Sequence, residues 1–180
     1  MKSWLQWTIG AGLVVAAWGV AALTPPEEAR EAPFPVRAVI GEPASGRNIE
    51  TTIADVRRAD RVTAGAWSAD GNWVVVDLTV EAVMTEPASL ALATLTIGDR
   101  VFSASERPKS LAQSALAVGI PLSGSLAFEL PTDADQGEGT LSLALHGDSR
   151  LDSVIELPID LGALPHPPSI ELEPTGWTNG

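Results

Sequence analysis

The run PTDADQGEG, residues 131–139, sets Asp133, Asp135 and Glu138 among small residues. Oxygen ligands on a flexible loop suit a hard cation, and an Asp-x-Asp step begins many calcium loops. Gly137 replaces one acidic ligand of an EF-type loop and no helical period flanks the run, so the alternative is an ordinary acidic turn. Two further carboxylates, Asp77 and Glu81, share one parity in GNWVVVDLTVEA (Gly71–Ala82). At about 3.3 Å per residue they stand roughly 13 Å apart along a strand. That is too far to share a proton, so a hydrolase built on an acid pair gains no support from them.

Histidine is the residue type that titrates near neutral pH, and the chain has two, His146 and His166. His146 closes an expected strand beside a Gly-Asp turn, a structural position, and His166 stands among Pro165, Pro167 and Pro168, where a fixed catalytic geometry is hard to hold. The chain contains no nucleophile elbow, no paired-histidine zinc motif and no phosphate-cradling glycine loop. With no cysteine there is also no thiolate ligand, no disulfide and no lipid-modified N-terminal cysteine. The sequence therefore predicts neither a bound cofactor nor an enzyme. In the proline-rich LPHPPSIELEPTGWTNG, Trp177 with Ile170 and Leu172 could anchor a partner; otherwise residues 165–180 read as a loosely packed tail.

The elements that must position these residues are strands. Period-two alternation recurs from Val36 to Leu161, whereas helical periodicity is scarce. Strands are expected over Val36–Ile40, Ile49–Val56, Trp73–Ala82, Leu90–Ile97, Arg100–Ala104, Leu122–Leu130, Thr140–His146 and Leu151–Leu161. Turn chemistry separates them at Asp70-Gly71, Gly98-Asp99 and Gly147-Asp148. Pro158 removes a ladder donor and assigns its strand to a sheet edge or bulge. In Trp73–Ala82 the even positions are apolar throughout, while the odd ones turn polar at Asp77, Thr79 and Glu81, so Asp77 is expected to face water. Trp73 shares that parity and fits either an inter-sheet or a rim position. Arg57, Arg58 and Arg61, interrupted by Asp60, read as a solvated strand end. Ser105–Gly119 breaks the pattern and is expected to be a crossover with one or two helical turns. Seven or eight short strands in this length fit an antiparallel sandwich better than a barrel.

The 180 residues allow one domain with a sizeable core, and a formal charge of −12 repels phosphate backbones, which argues against nucleic-acid binding. No charged residue occurs from Ser3 to Pro26, and Trp4–Leu23 is long enough, about 30 Å as a helix, to cross a bilayer. Lys2 precedes this run and EEARE follows it, which keeps the N-terminus cytoplasmic. The competing reading is a cleaved signal peptide, with Val20 and Ala22 at suitable spacing; either outcome carries the rest of the chain across the membrane. The expected organisation is a transmembrane anchor over 1–23, a Pro-rich linker over 24–35, a sandwich over 36–164 and a tail over 165–180.

TTIADVRRADRV, GNWVVVDLTVEA, GDRVFSASERP and LAFELP, in this order, resemble a family of uncharacterised extracytoplasmic domains of Gram-positive bacteria. The resemblance covers roughly Ile49–Leu161 and implies an immunoglobulin-like antiparallel β-sandwich, here preceded by a single N-terminal transmembrane helix. It supplies no catalytic residues. Together these readings predict a non-enzymatic, membrane-tethered surface module that binds a protein or an envelope component, for example as an accessory subunit of a membrane complex. A calcium-tuned module and an acid-dependent hydrolase are the alternatives.

Overall fold

The computed structural model describes Gly10 and residues 12–19, 33–84, 88–147 and 152–178, in two units, Met1–Ala32 and Pro33–Gly180. In the first, Gly10 and residues 12–19 are helical, with Leu13, Val14, Val15 and Trp18 exposed. Among the described residues, no helix is long and apolar enough to cross a membrane. The rest of the expected span, most of the linker and the Gly147-Asp148 turn lie outside the described residues.

The second unit is built from strands. They are β1 (Phe34–Arg37), β2 (Pro43–Ser45), β3 (Ile49–Ala64), β4 (Trp67–Ala82), β5 (Ala88–Ser89), β6 (Leu92–Ile97) and β7 (Arg100–Ser103). Then follow β8 (Ala115–Leu116), β9 (Leu122–Leu130), β10 (Glu138–Ala144), β11 (Ser153–Asp160), β12 (Ile170–Glu171) and β13 (Gly176–Trp177). A five-stranded sheet has the order β1-β11-β10-β6-β7, and a six-stranded sheet has β12-β3-β4-β9-β13 with β2 also on β3. Leu95, Leu141, Leu143 and Ile155 of the first sheet share one buried cluster with Ile53, Val74, Val76 and Phe128 of the second. The unit is thus a β-sandwich, because each sheet buries an apolar face against the other.

Several local expectations are met for the reasons that predicted them. Gly98-Asp99 closes a two-residue hairpin in which Ile97 pairs with Arg100 and Gly98 has φ +57°, open to glycine without strain. Pro158 does not put its strand at a sheet edge or bulge, since β11 lies between β1 and β10 in unbroken register with β10; β1 ends with Arg37 opposite Glu156, so beyond it that side of β11 is free and the missing N–H costs no ladder bond. The crossover holds one short 3-10 turn, Leu111–Gln113, and the two-residue pair of β5 and β8.

Two departures concern β3 and β4, the 16-residue arms of one long hairpin turned at Gly65, φ +58°. Asp70-Gly71 does not separate strands. Ala59 faces Trp73 while Arg61 faces Asp70, so β4 carries one extra residue and Gly71 lies in a bulge. A Cβ on Gly71 would stand 2.9 Å from the indole nitrogen of Trp73, which explains why glycine fits there. A second bulge in β3, between Ile53 and Asp55, reverses its parity. Ile49 and Ile53 reach the inter-sheet core, and beyond the bulge Val56 does so, leaving Arg57 and Ala59 on the other face.

The chain after Leu164 belongs to the sandwich instead of trailing from it. Ile170 pairs with Val62 in parallel on one edge of the six-stranded sheet, and Trp177 pairs with Leu122 on the opposite edge. The intervening residues therefore cross the outer face of that sheet as a strap.

Gly71→Ala is expected to lower the unfolding free energy by about 1–3 kcal/mol, because the packed indole must shift to admit a methyl group. Gly176→Ala, with nothing within 4 Å of its Cβ position, is expected to stay within about 0.5 kcal/mol of the parent. Urea denaturation followed by tryptophan fluorescence measures both.

Candidate functional site

Of the residues singled out by the sequence, Trp73, Asp77, Arg57, Ile170 and Leu172 gather on the outer face of the six-stranded sheet. Trp73 occupies neither the inter-sheet core nor the rim. It is fully buried on the outer face in a second cluster with Ala59, Val62, Val75, Ala127, Ile170 and Leu172. The bulge and the valine run supply the sheet half of this cluster, and the strap supplies the rest. Trp67 meets the Trp73 ring edge-on, centroids 6.0 Å apart at 87°, a favoured aromatic geometry. The Arg107 guanidinium lies 5.8 and 5.9 Å from these two rings and contacts Glu129 at 2.6 Å. The Trp73 indole N–H is buried without a partner.

Asp77 corrects the expectation of a water-facing acid. Only 5% of it is exposed, since the strap and the side chains of β3 and β9 cover its side of the sheet. Its carboxylate accepts from the Arg57 guanidinium and, at 2.5 Å, from the Ser125 hydroxyl. Ser125 Oγ in turn accepts from the Glu173 backbone N–H at 2.8 Å. Arg57 Nε lies 3.0 Å from Asp55 Oδ2, an ion contact too bent to count as a hydrogen bond. A buried carboxylate needs this combination of an opposite charge and hydrogen-bond donors. The arrangement neutralises Asp77 and ties it to the strap, leaving it unavailable as half of a catalytic acid pair with Glu81.

Arg57 and Arg58 are likewise no solvated strand end. Arg58 is 8% exposed and donates to the Asp135 carbonyl and, at 3.0 Å, to Asn72 Oδ1. Asn72 donates to the carbonyls of Pro131 and Ala134 at 2.8 and 3.0 Å. Together they hold the 131–135 loop against the sandwich by its backbone. Arg61 does fit its expected place, exposed and paired with Asp70 at 2.7 Å.

The calcium candidates do not converge. Among the described residues, no group of three or more His, Asp or Glu side chains is placed to hold a metal ion. Asp133 instead contacts Arg100 at 3.2 Å, Asp135 offers its carbonyl to Arg58, and Glu138 begins β10 opposite Asp160. Arg58 and Asn72 hold this loop by its backbone carbonyls. Glu138 lines an open groove of about 740 Å³ with Arg37, Thr96, Thr140, Pro158 and Asp160 on the five-stranded sheet.

Of the expected partner anchors, Ile170 and Leu172 are 3% and 5% exposed. They are corrected to packing residues, because their apolar side chains close the Trp73 cluster. Trp177 remains 54% exposed. His146 Nδ1 lies 3.1 Å from Asn48 Nδ2 and 3.3 Å from Asp152 Oδ2, and Asn48 also donates to Asp152 at 2.7 Å. His166 contacts the exposed Asp60 at 3.1 Å. Ser125, Arg107 and Asn72 were not singled out by sequence reasoning, and no local spacing marks them; their roles arise from pairing across strands.

Leu172→Ala is expected to cost about 2–5 kcal/mol of stability and Trp177→Ala less than about 0.5 kcal/mol, read by chemical denaturation. Addition of millimolar Ca²⁺ is expected to leave the melting temperature unchanged. A rise reversed by chelator and abolished by Asp133→Ala would restore the calcium reading.

No family model matches the sequence, and no curated protein matches it. Solved structures similar to this chain include an uncharacterised β-sandwich protein of Clostridium difficile, at 15% identity over 74% of this chain and 99% of that one, TM-score 0.47. They also include the YjhA protein of Bacillus subtilis, at 17% identity over 67% of this chain and 99% of that one, TM-score 0.45. A candidate lipoprotein of Staphylococcus aureus is a third, at 12% identity over 73% of this chain and 96% of that one, TM-score 0.46.

Proposed function

We propose that this chain is a membrane-tethered extracytoplasmic module of a Gram-positive type, an immunoglobulin-like sandwich that binds a protein or envelope component without catalysing a reaction. The observation that carries the reading is how the ionisable side chains are used. Asp77 is held within the sheet face by the Arg57 guanidinium and the Ser125 hydroxyl, Arg58 braces a loop, and Arg100, Arg107 and Arg61 each hold one carboxylate. Groups engaged in this way support architecture, whereas an active site needs acids and bases converging on open space.

The immunoglobulin-like assignment is supported by strand order. The chain passes from the β3–β4 hairpin to β6–β7 in the opposite sheet, returns to β9 beside β4, and crosses again to β10–β11, with β1 parallel to β11 at the edge. This is a Greek-key path of the kind that places loops at the two ends of the sandwich. The tether is supported by the uncharged run from Ser3 to Pro26 and by the charge order around it. Accessory assembly with a membrane complex is the form of binding that a short tether and a small domain suit.

The reading is tested in intact native spheroplasts with a C-terminal tag. The tagged chain is expected to sediment with membranes, resist carbonate extraction and be digested by added protease. A full-length chain protected from protease until lysis would overturn it.

A further inference from the structure

The two ends of the sandwich differ in chemistry. β1 enters at one end, where Phe34 pairs with Ser153 and its N–H bonds to Asp152. The same end holds the end of β4 and the start of β9, joined by Gly119 N–H donating to the Ala82 carbonyl and by the Ala82–Val118 bridge. Trp177 reaches it beside Leu122, with Thr178 bonded to the Pro121 carbonyl. Nine large apolar side chains are exposed among the described residues after Ala32. Six of them, Phe34, Val83, Met84, Val118, Ile120 and Trp177, belong to this end, each 40–60% exposed. Scattered apolar side chains need no explanation, but their concentration at one end does.

The opposite end is acidic. The hairpin arms beside Gly65, the Gly98-Asp99 turn, the 131–137 loop and the start of β10 carry Asp60, Asp70, Asp99, Asp133, Asp135 and Glu138, all exposed. At the apolar end the described carboxylates Glu50, Glu81 and Asp152 are half-buried, and Arg47 is exposed in the turn between β2 and β3.

We propose that the apolar end rests on the lipid bilayer, with Val83, Met84, Val118, Ile120 and Trp177 entering the interfacial region. The inference rests on the tethered reading above and adds the orientation and the contact. Three independent features favour lipid as the occupant. Thr24–Pro33 joins this end to the long apolar run and spans at most about 35 Å even when extended. Amphipathic Trp177 and Arg47 are the side-chain types that settle at headgroup depth. The acidic loops at the other end would be repelled by anionic lipid.

The absence of cysteine from the chain permits single-cysteine labelling. Met84→Cys, Ile120→Cys, Ala66→Cys and Gln136→Cys, each at an exposed position, are labelled with an environment-sensitive fluorophore. The full-length protein is reconstituted in phosphatidylcholine vesicles with and without a shallow spin-labelled lipid quencher. Probes at 84 and 120 are expected to emit blue-shifted and to be quenched several-fold more than probes at 66 and 136. Adding Met84→Glu is expected to reduce quenching of the probe at 120. Equal, aqueous behaviour at all four sites in protein that floats with the vesicles would overturn the lipid contact and leave the tether standing, the result also expected if a protein covers this end. Protein that fails to float would overturn the tether and this inference with it.

Discussion

Burial of both faces of β4 is the constraint from which the rest of the second unit follows. Val74, Val75 and Val76 are all fully buried, so the strand must be covered on two sides. Packing against the five-stranded sheet covers one. The other is covered by a strap drawn from the C-terminal segment, and Asp77 is where strap and sheet are joined through Ser125 and the Glu173 amide. Carboxylate burial is costly unless fully compensated, so this position specifies its neighbours. Arg57 must come from β3 at the right parity, a hydroxyl from β9 must reach the carboxylate, and the strap must run across both.

The bulges are what make that parity available. Without the extra residue near Ala54, the strand segment that sends Ile49 and Ile53 into the core would send Arg57 there also, since a one-residue slip exchanges the faces of a strand. The bulge at Gly71 likewise lets Trp73 and Val62 share the outer cluster despite the register change between Ala59 and Arg61. Both irregularities serve one end, an outer face apolar enough to hold the strap, with one ionic lock.

Alternation and turn chemistry made most of the sandwich legible. β9 runs over Leu122–Leu130 as its alternation indicates, and Gly98-Asp99 sits where local backbone rules require. The long hairpin was legible only in part, because Asp70-Gly71 carries the same residue types in a bulge as in a turn. The strap was least legible, although Ile170-Glu171-Leu172-Glu173 alternates as a strand should. Four residues between prolines are too short a window to outweigh the composition around them. In the candidate site, residue type misled where distant partners decided the outcome. The Asp-x-Asp spacing suits calcium locally, but Arg58, Asn72 and Arg100 reach the loop from far along the chain.

Sealing the outer face by the strap also decides which surfaces are left exposed. The chain enters beside Phe34, and the strap finishes beside Leu122 at the same end. The hairpin tip at Gly65, the Gly98-Asp99 turn and the 131–137 loop therefore lie at the other end, free of the strap's final strand. The exposed ion pairs there, Arg100 with Asp133 and Arg61 with Asp70, contribute little to folding. Either guanidinium can exchange its carboxylate for water at small cost to the fold. The buried pair at Asp77 admits no such exchange, since releasing it would also release the strap. The molecule thus separates its two uses of charge: one fixed inside the sheet face to build the fold, the other spread over its exposed surface.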